Sequence, residues 1–486
     1  MPDRFPLAGR DPAMIKKLSS LLAATTLLAG CSLIPDYLRP DAPVAPSWPQ
    51  ADSAARAGAP LMGDLAWKAF FKDPGLQALI EQALANNRDL RVAALNIEVA
   101  RATYRVSEST LFPQINANGG FTSQRIPKGV GGSTTDVTNR TYQANLGVTS
   151  WELDFFGKLS SQQEQAYESF LATEEARQAT RISLIAEVAN AALSLYGDRA
   201  LLALTEETLA SREDSLRLIQ RSFDNGVSSQ VDVAQARTAV ETARVNKVKY
   251  QRQVELDKNA LTLLLGGPFD ESRLPSPASL DAVGLVEDMP AGLPSEVLLR
   301  RPDVAQAEHS LKAANANIGA ARAAFFPSIA LTASGGGTSG TLDTLTASPA
   351  WIFNPQITVP IFTAGKNQAN LDSAKASRDI AVATYEKTIQ TAFREVSDAL
   401  AARATLSQQI KSQGDLVTAT GDSYRLSRAR YDRGVDSYLN VLDSQRSLYS
   451  AQQDLISTQV TRLSNLVTLY KVLGGGVERD TTAKAE

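Results

Sequence analysis

Two kinds of hydrophobic periodicity follow one another along the chain, and each occurs twice. The first is a period of two: segments near Ile115, Tyr142, Ile329 and Trp351 alternate apolar residues with polar or small ones. Such alternation predicts amphipathic β-strands with one apolar face. Each half is therefore expected to supply two strands joined by a loop rich in Gly, Ser and Thr. At about ten residues, each strand is long enough to cross a bilayer when tilted.

The second periodicity, apolar residues three and four apart, predicts long helices. Proline is absent from 158–222 and from 366–430, so each segment can form one helix of roughly 100 Å at 1.5 Å per residue. Gly226 and Gly434 follow as natural left-handed caps, and a returning helix completes each hairpin. The near-heptad spacing is typical of coiled coils. A shorter helix is expected before each strand pair, at 74–110 and 294–324, ending at a Phe-Pro pair.

The same order of elements and several dipeptides recur at a spacing of about two hundred residues, which indicates a tandem duplication. Gly157-Lys158 returns as Gly365-Lys366, and Gly226-Val227 returns as Gly434-Val435. The predicted organisation is a signal peptide at 1–30, a lipid-anchored extended segment at 31–73, a first repeat at 74–267, a linker at 268–293, a second repeat at 294–475 and a flexible tail at 476–486.

The N-terminal segment has the pattern of a bacterial lipoprotein signal. Lys16 and Lys17 precede an uncharged run that ends at Gly30, and Cys31, the single cysteine, follows. Acylation of the Cys31 thiol explains why a chain of 486 residues keeps one cysteine; the alternative is an ordinary secretory signal with a chance cysteine. A signal peptide that starts at Met14 has a more usual N-terminus. Residues 1–13 are therefore interpreted as the result of a start codon assigned too far upstream. Ser32 after the cysteine favours sorting to the outer membrane.

Composition argues against an enzyme. A net charge of −3 with 21% charged residues does not indicate nucleic acid as a partner. The chain has one Cys and one His, His309, which almost excludes the usual metal sites and acid–base catalytic sites. The Gly-rich segments are not followed by the Lys-Ser/Thr pair of a phosphate loop. No cofactor is expected apart from the covalent lipid on Cys31.

Four strands per chain pose a counting problem, since the smallest membrane barrels have eight and an open sheet edge cannot exist in lipid. Either several chains pool their strands, or the strands form a soluble periplasmic sheet. Two, three or four chains would give eight, twelve or sixteen strands, and counting does not choose among them.

Four stretches resemble the TolC-like outer-membrane efflux proteins and, within them, the OprM/NodT-like lipoprotein branch. They are WELDFFGK at 151–158, LLRRPDVAQAE at 298–308, AAFFPSI at 323–329 and GVDSYLNVLDSQRSLYSAQ at 434–452. The resemblance implies an α+β membrane protein: a homotrimer whose four strands per chain build one 12-stranded outer-membrane β-barrel, with duplicated coiled-coil hairpins forming a periplasmic tunnel. It also implies a periplasmic adaptor and an inner-membrane transporter as partners.

The resemblance further assigns a periplasmic gate to the second hairpin turn. Leu439 would be a hydrophobic constriction, Asp443 an aperture acid and Arg446 its ion-pair partner, with Asp436 beside them. The hairpin turns would contact the adaptor through Gly226, Val227, Gly434 and Val435. Three-fold symmetry would turn each gate residue into a ring. The first turn lacks this pattern, so the gate is expected to be asymmetric between the halves; the alternative is a solvated turn without a gate.

Two classes of function therefore compete. The first is the outer-membrane exit duct of a tripartite efflux system for drugs or other toxic small molecules, with an exit duct for type I protein secretion as a close variant. The second is a lipid-anchored periplasmic coiled-coil scaffold without a pore.

Overall fold

The computed structural model describes residues 32–48, 65–129, 132, 134–274, 280, 283–286 and 295–476. The predicted signal peptide, the lipid attachment point Cys31 and almost all of the predicted C-terminal tail lie outside this part of the chain. The described residues fall into two compact units. Among the described residues, the strand unit contains those up to Pro40, Glu98–Ala172 and Ala307–Tyr385. The hairpin unit contains those within Asp41–Ile97, within Thr173–Gln306 and from Glu386 onward.

The helices follow the predicted order in both halves. Their bounds are α1 Trp67–Phe70, α2 Pro74–Asn86, α3 Arg88–Ser109, α4 Lys158–Asp224, α5 Gln230–Leu265, α6 Pro302–Ala323, α7 Lys366–Asp432 and α8 Tyr438–Val472. The two longest, α4 and α7, each have 67 residues, in agreement with the proline-free segments. No helix among the described residues is both long enough and apolar enough to cross a membrane.

The strand unit holds one antiparallel sheet in the order β1-β2-β3-β4. Its strands are β1 Ile115–Ile126, β2 Val137–Leu153, β3 Ser328–Ser339 and β4 Pro349–Thr358. The duplicated halves meet where β2 pairs with β3. A register shift between Val148 and Trp151 places an extra residue in β2, and Ser150 there has a φ of 55° while its N–H donates to the Thr332 hydroxyl at 3.1 Å. This is a β-bulge, a feature that bends and twists a strand.

The start of the described chain is fastened along α6 within the strand unit. The Leu33 carbonyl accepts from Arg322 at 3.1 Å, and the Pro35 carbonyl accepts from Asn315 at 2.7 Å. Arg39 forms an ion pair of 2.9 Å with the buried carboxylate of Glu308. These contacts fix an extended segment that has no regular secondary structure of its own.

The first short helix was predicted as one piece over 74–110, and this is wrong. Asn87 adopts an extended conformation and separates α2 from α3. Its side-chain oxygen accepts from the Leu90 N–H at 3.0 Å, and its amide donates to the Leu264 carbonyl at 2.9 Å. Asn87 therefore caps α3 and ties it to the end of α5, which makes the break favourable. The predicted helix at 294–324 begins later, at Pro302, after a 3₁₀ turn at Ser295–Arg300.

The hairpin unit has an aromatic and ionic core close to the end of α8. Phe70 stacks on Tyr470 with ring centroids 4.3 Å apart, and Phe71 meets the same ring edge-on. Buried Arg301 donates to Asp303 at 2.7 Å and to Glu395 at 2.8 Å. This guanidinium therefore has two carboxylate partners, which is the usual condition for burying a charge.

Candidate gate at the hairpin turns

The first hairpin turn, between α4 and α5, is a tight glycine turn with a complete cap. Gly226 has a φ of 76°, a conformation that glycine adopts without strain, and its N–H donates to the Phe223 carbonyl at 2.8 Å. Ser229 and Asp232 form a capping box at the start of α5. The carboxylate of Asp232 thus caps the N-terminus of α5. This capping role accounts for an acidic residue at this position, so no role in a gate is needed.

The second turn, between α7 and α8, has the same glycine geometry but is stabilised by an ion pair. Gly434 has a φ of 73°, and its N–H donates to the Tyr431 carbonyl at 2.8 Å. Arg430 reaches across the turn to Asp436, with Nε–Oδ2 and Nη2–Oδ1 distances of 2.6 and 3.2 Å. Hydrogen bonding from Arg430 lowers the pKa of Asp436. Ser437 caps α8 without a side-chain hydrogen bond, so the ion pair takes the place of the capping box.

The two turns share one apolar core. Ile219 of α4, Val233 and Ala236 of α5, and Tyr438 and Leu442 of α8 are buried together. A groove of about 600 Å³ beside this core is lined by residues of both turns, including Val227, Asp232, Gly434 and Asp436. The turns are therefore held against each other by packing, and both lie at the same end of the hairpin unit.

Three of the four predicted gate residues, Leu439, Asp443 and Arg446, lie on the exposed side of α8, whereas Asp436 lies in the turn before it. Leu439 is 43% exposed. Asp443 and Arg446, one turn further on, are both exposed, and Arg446 Nη1 lies 3.5 Å from Asp443 Oδ1. The predicted sharing of one helix face by these two side chains is present in the structure. Val227 and Val435, at the two turns, are exposed as well.

An adjacent part of the α8 surface is tied to α4 and α5 by polar contacts. The Gln445 amide donates to the Ser211 hydroxyl at 3.4 Å, and the hydroxyls of Tyr449 and Thr205 are 2.7 Å apart. Further along, the Gln453 amide donates to the Tyr250 hydroxyl at 2.8 Å. The helix that carries the gate residues is thus fixed by a row of polar side chains, which we call the α8 seam.

Two features of this unit were missed by reasoning from the sequence. The first is Arg430, whose only sequence signal is its position six residues before Asp436 across a glycine turn. The second is a carboxyl pair between α4 and α5, in which burial, followed by hydrogen bonding to Asp257, raises the pKa of Asp198 to about 7. Burial also raises the pKa of Asp257. These two acids are distant in sequence, and no local pattern brings them together.

Comparison with known proteins agrees with this architecture. The profile of the outer membrane efflux protein family matches residues 79–267 and 293–475. The chain belongs to the outer membrane efflux protein family, and the predicted resemblance is confirmed.

Curated relatives match along nearly their whole length. The toluene efflux pump outer membrane protein TtgC of Pseudomonas putida is 52% identical over 467 residues, covering 95% of this chain and 96% of the relative. The outer membrane protein OprJ of Pseudomonas aeruginosa is 44% identical over 470 residues, covering 96% and 97%.

Solved structures share the fold. A membrane protein from Pseudomonas aeruginosa aligns with a TM-score of 0.86 at 43% identity, covering 91% of this chain and all of that one. The open state of the MtrE outer membrane channel of Neisseria gonorrhoeae aligns with a TM-score of 0.83 at 39% identity, covering 93% and 100%. The protein is therefore an outer membrane channel for efflux that extends into the periplasm. The predicted fold class, function and location are confirmed, and the scaffold without a pore is not supported.

Proposed function

We propose that three copies of this chain form the exit duct of a tripartite pump and export toxic small molecules with a periplasmic adaptor and an inner-membrane transporter. The observation that carries a barrel shared between several copies is the sheet itself. Among the described residues, β1 and β4 each pair on one side only. Because an open edge cannot exist in lipid, β4 of one copy must pair with β1 of the next, and three copies close a barrel of twelve strands.

The exported compounds are proposed from the relatives. Proteins 48–52% identical to this chain bear the names of toluene, solvent and antibiotic efflux pump components. We infer that this duct likewise passes apolar solvents and hydrophobic antibiotics. A passive tunnel does not need to select its cargo, so selection belongs to the inner-membrane partner.

The residue roles follow from placing the second turn on the three-fold axis. Leu439 would form an apolar ring that blocks the closed tunnel by excluding water, and Asp443 a ring of carboxylates. Arg446 would neutralise Asp443 in the closed state. The exposed side chains of Val227 and Val435 offer apolar contacts for the adaptor, with the two turns Gly226-Val227 and Gly434-Val435 as the docking points. Cys31 would carry the lipid.

The test is complementation in a host that lacks its own efflux channels. The chain is expressed with a cognate adaptor and transporter, and tolerance to toluene and to hydrophobic antibiotics is measured. We expect tolerance to rise at least several-fold, and the rise to disappear when either partner gene is omitted. Secretion of a protein substrate without any gain in tolerance would instead identify the type I secretion duct.

A further inference from the structure

One cation in the hairpin unit is buried without a counter-ion. Arg212, on α4, is 4% exposed. Its Nη1 donates to the Ala239 carbonyl of α5 at 3.0 Å, and its guanidinium carbon lies 5.3 Å from the centre of the Tyr449 ring of α8. Its Nε has no hydrogen-bond partner in the described part of the chain, and no acidic side chain described there pairs with it.

A buried charge in this state is unfavourable. Burial without a counter-ion removes hydration, which one carbonyl and one aromatic ring replace only in part. Burial lowers the pKa of Arg212; the Tyr449 ring opposes this, and the charge of Arg446 lowers the pKa further. Arg301 in the same unit is the contrast, since it is also buried but donates to two carboxylates.

Arg212 lies directly behind the proposed gate. Tyr449, which covers it, follows Arg446 by three residues on α8, and residues three apart are neighbours on a helix surface. The α8 seam fixes this helix to α4 next to Arg212, through Gln445–Ser211 and Tyr449–Thr205. Because Leu439, Asp443 and Arg446 are all carried by α8, any movement that withdraws them shifts α8 against α4. Such a shift exposes the Arg212 guanidinium to water.

We propose that Arg212 is a positioning residue of the gate, whose unpaired buried charge destabilises the packing of α8 on α4 and so favours opening. The seam holds α8 in place, and Arg212 opposes it. This inference rests on the proposed gate at Asp443 and Arg446. It assigns Arg212 a role opposite in sign to that of Asp443, which favours the closed state.

The test is whether Arg212→Met lowers or raises the open probability of the channel. This substitution removes the charge and keeps an apolar side chain of similar length. Single-channel current is recorded in planar bilayers for Arg212→Met, for Asp443→Ala and for the double variant. We expect the double variant to show about tenfold lower open probability than Asp443→Ala alone, equivalent to about 1.4 kcal/mol. We also expect Arg212→Met to unfold at a higher temperature than the wild type.

A residue that only links three helices gives the opposite result. In that case Arg212→Met opens the channel further and unfolds at a lower temperature, and either finding overturns the inference. Arg212→Lys keeps the charge and should retain most of the openings. Arg217→Met is the matched control, since Arg217 is exposed on the same helix and its loss should leave open probability unchanged.

Two outcomes separate this inference from the gate itself. If Asp443→Ala conducts no more than the wild type, the proposed gate is wrong and Arg212 has no gate to act on. If Asp443→Ala conducts strongly and the double variant conducts equally, the gate stands and the role of Arg212 is rejected. Should Arg212→Met fail to fold, Arg212→Gln is measured in its place, and failure of both shows that the arginine is a net stabilising contact.

Discussion

At the scale of single residues, the proposed gate depends on Asp443 and Arg446, which face away from the packed core of the hairpin turns. Their separation of 3.5 Å and the exposure of both side chains mean that the pair contributes at most about 1 kcal/mol within one chain. A larger effect requires several copies, because a three-fold axis would bring three such pairs together. The pair is therefore a weak stabiliser of one subunit but a candidate lock for an assembly.

The first prediction concerns this lock. We expect Asp443→Ala to increase the current through the purified channel at least tenfold, because the carboxylate that holds Arg446 is lost. Asp454→Ala is the control, since Asp454 is an exposed acid further along α8. Equal, small currents from the wild type and both variants would remove Asp443 from the gate.

The sequence could predict some of these residues and not others. Asp443 and Arg446 are three positions apart in a helical pattern, so their proximity follows from local geometry. Arg212, Asp198 and Asp257 depend on neighbours that come from other helices, and nothing in their local sequence distinguishes them from surface charges. The capping role of Asp232 is likewise not evident from the sequence, because a capping acid and a functional acid cannot be distinguished without the structure of the turn.

At the scale of elements, periodicity predicted the two long hairpins and the four strands, but not the points where elements are interrupted. The break at Asn87 depends on the Leu264 carbonyl of α5, a partner 177 positions away. The bulge at Ser150 depends on pairing with Thr332 in the other half of the chain. Both irregularities are created by tertiary contacts, which local propensity does not contain.

The packing of α4 on α5 should depend on pH through Asp198 and Asp257. The pKa of Asp198 is raised from 3.8 to about 7, so the folded state binds more protons than the unfolded state between these values. This contribution to stability is complete below about pH 4 and is lost as pH rises through 7. Lys249 acts weakly in the opposite direction. On α5, Tyr250 interacts electrostatically with Asp198, and the Gln253 amide donates to Asp257 at 3.4 Å.

We therefore expect Asp198→Asn to raise the unfolding temperature at pH 8 and to flatten its dependence on pH between 4 and 8. The gain is on the order of 1–3 kcal/mol, since one pKa unit corresponds to about 1.4 kcal/mol and partial exposure reduces the effect. Thermal unfolding in detergent across this pH range is the measurement. Asp214→Asn, an exposed acid on α4, is the control. An unchanged pH profile in Asp198→Asn would show that the pair does not share a proton.

At the scale of the whole molecule, the open edges of β1 and β4 link the fold of one chain to the number of chains in the channel. Every residue of these strands that pairs within the chain does so on one side, and the apolar side chains of Trp351, Phe353 and Ile357 are exposed. Neither feature is compatible with a lone chain in lipid, whereas a closed barrel satisfies the backbone and places one face against the bilayer. The proposed pairing of β4 with β1 thus requires several copies of the chain, and an experiment must count them.

Mixing two forms of the chain counts the copies. We expect a tagged, larger form and an untagged form, co-expressed and run unheated on a denaturing gel, to give four oligomer bands, because three subunits combine in four ways. Three bands would indicate a dimer and five a tetramer, and heating should convert every band to the two monomers.

A cysteine pair placed on β1 and β4, such as Phe121→Cys with Phe353→Cys, should cross-link only between subunits if the edges meet. Cys31 is the single native cysteine, and the proposed acylation would leave no competing thiol. A cross-link confined to monomers would reject the shared barrel.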